Sequence, residues 1–87
     1  MEGVFVVYVL KNAEGKRYIG ITSKIDQRME AHNKGLSLYT RRHRPWEIHW
    51  ISRDLDHKNA LLLEKRMKRQ KGGKGLQDVM TLYARGS

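Results

Sequence analysis

The chain contains no cysteine and a single proline in 87 residues. Without thiols it forms neither a disulfide nor a thiolate zinc site, and a reducing cytosol is its natural setting. Long apolar runs are missing too. The longest, Val4 to Leu10, spans seven residues, against ~20 for a membrane-spanning helix. It follows the acidic Glu2 instead of a basic leader, so no signal peptide is expected. Acidic residues are scarce: 9 Asp+Glu stand against 18 Lys+Arg, a formal charge of +9. A surplus of that size points to a polyanionic partner and says nothing about fold. Apolar residues make up 39% of the chain, which together with periodic segments argues against disorder. A chain this short has room for one core, burying a little over ~60% of its unfolded surface. The terminal Gly86-Ser87 reads as a cloning remnant, which leaves residues 1–85 as a single domain.

Val4-Phe5-Val6-Val7-Tyr8-Val9-Leu10 is β-branched and aromatic, and apolar at odd and even positions alike. That is the pattern of a strand buried on both faces, at the centre of a sheet. Asn12-Ala13-Glu14-Gly15 suits a type I turn closed by a left-handed glycine, and Arg17 to Thr22 forms the return strand. With Asn12 opposite Lys16, Leu10 pairs with Tyr18 and Tyr8 with Gly20, which places Tyr8, Tyr18 and Gly20 on one face. Ser23, with Asp26 and Gln27 behind it, marks a helix start and Gly35 its stop. Ile25 and Met29 form the apolar stripe of this helix, with Arg28 and His32 beside it. Leu36 to Pro45 is a basic loop. Trp46 to Ile51 is a third strand, its tryptophans alternating onto one face. Asp54 or Asp56 caps a second helix through about Gln70, with Ala60, Leu63 and Met67 inward, and Gly72 and Gly73 end it. Leu76 to Ala84 is a short final helix. The expected class is α+β in the order β-β-α-β-α-α, a three-stranded antiparallel sheet flanked by helices.

Tyr8, then Tyr18-Ile19-Gly20 ten residues on, then Arg28 and His32 four apart, then Glu64 form an ordered set. In this order and spacing the chain resembles the GIY-YIG nuclease superfamily, from Val4 to about residue 80. It is similar to the small single-domain members, related to the nuclease module of the bacterial excision-repair incision protein. The first motif reads Val6-Val7-Tyr8, keeping only the tyrosine, and no asparagine follows Asn59, so Gln77 is the nearest amide to the family's phosphate-side asparagine. The resemblance implies a DNA endonuclease, DNA repair as its setting and a cytoplasmic location. It also implies phosphodiester hydrolysis with one divalent metal, Mg²⁺ with Mn²⁺ as substitute, on Glu64. Glu64 is the lone acidic residue between Asp56 and Asp78, and one carboxylate with waters and a substrate phosphate is how Mg²⁺ is commonly held. Arg28 offers a fork of donors to non-bridging oxygens. Tyr18, with Tyr8 in its network, is a candidate base, although a free phenol of pKa ~10 is only about 0.1% ionised at pH 7. His32, with a reference value of ~6.5, is the other candidate proton acceptor.

The same residues have plainer readings. Tyr8 and Tyr18 suit any strand, Arg28 and His32 suit a solvated helix flank, and Glu64 stands four before Lys68 in the favoured ion-pair orientation. For binding, Lys65, Lys68, Lys71 and Lys74 lie within ten positions, and Arg41, Arg42 and Arg44 crowd the loop with Tyr39. The cations suit phosphates and Tyr39 suits base stacking, whereas Trp46 and Trp50 suit a core. The partner expected is DNA, whether single-stranded, branched or duplex, ahead of RNA; no membrane partner is expected, and oligomeric state is unreadable. The alternative is a catalytically inert nucleic-acid-binding or recruitment module of the same fold.

Overall fold

The computed structural model describes residues 3–37, 40–70 and 73–85. Strand β1 (Val6–Lys11) lies between β2 (Arg17–Thr22) and β3 (Glu47–Ile51) in an antiparallel sheet of order β2-β1-β3. Its sequence demands that place. Val6, Val7, Tyr8, Val9 and Leu10 are all buried, and a strand hides every side chain only when both faces are covered. The hairpin register is the expected one: Leu10 faces Tyr18 and Tyr8 faces Gly20. Gly15 closes the turn at φ 84°. Asn12 Oδ1 accepts from the N–H groups of Glu14 and Lys16, a side chain standing in for backbone as Asn does in turns.

Helix α1 (Ile25–Asn33) covers one face of the sheet, where Ile25 and Met29 pack with Tyr8, Leu10, Tyr18 and Trp46. Helices α2 (His57–Arg69) and α3 (Gly73–Leu82) cover the other. There Ala60, Leu63 and Met67 join Leu76, Val79 and Met80 against Val7 and Val9. The element order is β-β-α-β-α-α, an α+β arrangement as the sequence predicts. Among the described residues no helix is long and apolar enough to cross a membrane.

Four local expectations are corrected. The tryptophans do not share a face. Val9 pairs with Trp50 but Leu10 pairs with Ile48, leaving His49 as the extra residue of a bulge. One added residue inverts which face the next side chains take, so Trp46 packs with Tyr8 and Trp50 with Val9. The start of α1 is served by the Thr22 hydroxyl, which accepts from the Lys24 N–H at 3.0 Å; Ser23 does not cap it, and Lys24 holds the N-cap position. The Gly35 stop holds, at φ 80° with its N–H on the His32 carbonyl. Of the two candidate caps for α2, Asp56 accepts from the Asn59 N–H at 2.7 Å. Gly73 does not end α2 but opens α3, ahead of the expected start at Leu76, and α3 closes at Leu82, short of Ala84. Burial of Leu76, Val79 and Met80 overrides the poor helix propensity of Gly75, while Gly73 opens the helix at φ 72°, a conformation that favours glycine. Gly72 lies outside the described residues, as do Gly86 and Ser87. Finally, the described part of the basic loop carries a 3₁₀ turn, Arg41–His43.

Candidate active site

Strand alternation sends Tyr8 and, across the hairpin, Tyr18 toward α1. Tyr8 is fully buried, and its hydroxyl lies 3.0 Å from His32 Nε2. His32 Nδ1 lies 2.7 Å from Thr40 Oγ1, and the Thr40 carbonyl accepts from Trp46 Nε1 at 2.8 Å. His32 is no part of a solvated flank. Ile25, Met29 and His32 fall at i, i+4 and i+7, one face of a helix, and the imidazole is 0% exposed. Both of its ring nitrogens are engaged inside the protein. Gly20 is what lets Tyr8 lie across β2: a Cβ there would stand 2.5 Å from Tyr8 Oη and 3.0 Å from Tyr18 Cε2. Tyr18 is half-buried, its ring 4.9 Å from that of His32 and 6.2 Å from that of Tyr8.

Burial pushes the Tyr8 phenol well above the usual tyrosine range; neighbouring Tyr18 adds to this, Arg28 opposes it and Glu64 adds a smaller upward push. Burial also lowers the His32 imidazole, with the Arg28 cation working in the same direction. Both groups are therefore neutral at pH 7. The same couplings place exposed Arg28 of α1 and Glu64 of α2 in the field of one phenol. The two helices sit on opposite faces of the sheet and converge on its outer strand β2. Glu64 is mostly buried, with 19% of its side chain exposed, and its Oε2 lies 3.2 Å from Lys68 Nζ. The plain i, i+4 ion pair predicted for these two residues is thus present.

A cleft of about 650 Å³ opens at this edge, lined by Lys16, Arg17, Tyr18, Thr40, His43 and Lys68 among others. Glu64 borders a separate groove of about 830 Å³ along the outer face of α2, with Leu61 and Lys65, and Lys68 lines both. Arg41 and Arg42 are exposed on the 3₁₀ turn. Arg44, also exposed, folds back on its loop, Nε donating to the Arg41 carbonyl at 2.8 Å and the guanidinium lying against Gly35. Asn12 Nδ2 donates to the His43 carbonyl and so pins the basic turn to the hairpin. Lys74 and Gln77 are exposed on α3; Tyr39 and Lys71 lie outside the described residues. Sequence reasoning missed Lys16, Arg17, His43 and Thr40. For Lys16 and Arg17 a signal existed, since they directly precede Tyr18; Thr40 had none.

Among the described residues no group of three or more His, Cys, Asp or Glu side chains gathers to hold an ion. Glu64 offers one hard carboxylate beside a cation-lined cleft. That donor set fits a magnesium-like ion, which keeps several waters and takes one or two carboxylates plus substrate phosphate.

Paired tyrosines on a hairpin, a buried helix histidine and one carboxylate are thus grouped around the outer strand β2. The chain matches the GIY-YIG catalytic domain over residues 4–77 and belongs to the GIY-YIG family. It is 37% identical over 62 residues to a UPF0213 protein of Bacillus pumilus (strain SAFR-032), covering 70% of this chain and 63% of that one. It is 31% identical over 71 residues to UPF0213 protein ORF82 of Orgyia pseudotsugata multicapsid polyhedrosis virus, covering 79% and 68%. The match thus spans about two thirds of the length of these relatives. No solved structure matches the chain significantly. GIY-YIG nucleases act on DNA in general.

Proposed function

We propose that this chain is a divalent-metal-dependent DNA endonuclease, a single domain over residues 1–85, with low or structure-based specificity. One observation carries the reading. Tyr8, Tyr18 and His32 are in contact, Tyr18 lines a cation-lined cleft, and Arg28 and Glu64 lie within electrostatic reach of Tyr8.

The surroundings divide the labour. Tyr8 and His32 are buried and bonded to each other, so neither meets an incoming water. Tyr18 lines the cleft and is the group placed to orient that water and take its proton. Tyr8 and His32, with Thr40 behind, hold Tyr18 in position as a rigid wall. Arg28 supplies donors to the phosphate oxygens, whose charge is redistributed in the transition state. Glu64 would hold Mg²⁺ or Mn²⁺, which when bound polarises the phosphate and stabilises the leaving oxygen. Lys16, Arg17 and Lys68 contact flanking phosphates and contribute a salt-dependent share of affinity.

The test is digestion of labelled single-stranded, branched and duplex DNA with Mg²⁺, Mn²⁺ or EDTA, using wild type and Glu64→Gln. Cleavage is expected with either metal, none with EDTA, and none from Glu64→Gln, which still folds and binds DNA. Full cleavage by Glu64→Gln would show that Glu64 serves only its pair with Lys68. Binding without cleavage by the wild type under every condition would leave the inert binding module as the function.

A further inference from the structure

Lys68 is the one cation bonded to Glu64 among the described residues, and it also lines the cleft beside Tyr18. It borders the groove that Glu64 lines as well. Its side chain is 56% exposed and that of Glu64 19%, so the lysine is free to swing while the carboxylate stays fixed. An ammonium 3.2 Å from the carboxylate compensates its charge when nothing else does. It also stands where a second cation on Glu64 would meet strong repulsion.

Resting on the assignment of Glu64 as the metal-holding residue, we infer that Lys68 is an exchangeable counterion: it holds Glu64 until a divalent cation arrives, then releases it and passes to a substrate phosphate in the cleft. The four-carbon stem and compact head of lysine suit such a transfer, since lysine binds phosphate as a point charge and needs no fixed fork geometry. Linkage then requires that cation and polyanion assist each other through this side chain. Phosphate in the cleft draws Lys68 from Glu64, and a cation on Glu64 sends Lys68 toward phosphate. Lys65, exposed one turn earlier and bonded to no carboxylate among the described residues, is the control for charge alone.

The experiment measures Mn²⁺ binding without DNA, by the loss of the free-ion electron paramagnetic resonance signal at low ionic strength. Lys68→Met is expected to tighten Mn²⁺ binding about fivefold, the scale of one exposed ion pair, with the gain shrinking as salt rises. Lys65→Met is expected to change it less than twofold, and Lys68→Arg to remain near wild type. A second arm adds an uncleaved phosphorothioate oligonucleotide: it tightens Mn²⁺ binding in wild type and measurably less in Lys68→Met. Equal tightening in Lys68→Met and Lys65→Met would reduce the effect to net charge and overturn the inference. Weaker binding in Lys68→Met would make Lys68 a mere prop for Glu64 and overturn it too. Glu64→Gln separates the two claims. If it abolishes Mn²⁺ binding while Lys68→Met changes nothing, only the exchange fails; if it binds Mn²⁺ as wild type does, the metal assignment fails as well.

Discussion

Tyr8 and Tyr18 carry the same hydroxyl in different surroundings, and their truncations should separate. Tyr18→Phe removes a group at the cleft and is expected to lower single-turnover cleavage by ~10²-fold or more. Tyr8→Phe strands a buried imidazole nitrogen and should cost about 1–3 kcal/mol in urea unfolding, the price of an unsatisfied buried group. Unchanged turnover in Tyr18→Phe would move the proton-accepting role elsewhere. His32 gives a second residue-scale signature. Its imidazole titrates lower in the folded chain than in the unfolded one, so between those two values the unfolded state binds more protons. Its contribution to stability is complete above about pH 6.5 and is lost as pH falls from there through the lowered folded value. Melting temperature followed from pH 7.5 to 5 should therefore decline, and less steeply in His32→Gln.

At the scale of elements, Asn12 joins the β1–β2 turn to the basic 3₁₀ turn: it accepts from two turn N–H groups and donates to the His43 carbonyl. Asn12→Ala leaves the cleft residues in place chemically but loosens the wall that carries His43. The expected outcome is a loss of about 1–3 kcal/mol in stability and weaker DNA binding at unchanged salt slope, read by fluorescence anisotropy. A steeper or flatter slope would mean that Asn12 acts through phosphate contacts. The hairpin register, the central strand and the inward face of α2 were legible because each follows from local periodicity and turn chemistry. The bulge at His49 was not, since it is a property of two strands pairing and leaves no mark on one. The burial of His32 was within reach: its i+7 spacing from Ile25 marks the inner face, but a titratable side chain biased the reading toward solvent. Thr40 was beyond reach, because its value comes from where the fold brings a loop. The bond from Arg44 Nε to the Arg41 carbonyl was equally beyond reach, since it too depends on how the loop turns.

For the whole molecule, the candidate groups come from both layers of the sheet, so none of the constellation survives loss of either layer. α1 brings Arg28 and His32 from one side and α2 brings Glu64 from the other, with the hairpin between them. The chain's charge of +9 surrounds this arrangement, and it bears on more than substrate capture. β2 and β3 are outer strands, and an outer strand offers unpaired N–H and C=O groups to any similar edge. β3 is protected by shape, because the bulge at His49 bends it out of register for a partner. β2 is protected by charge, with Lys16 and Arg17 at its head. The cations that line the cleft are thus the ones that keep two copies from joining sheet to sheet. A bound polyanion cancels them, so self-association should be greatest near charge equivalence with nucleic acid and vanish when either component is in excess.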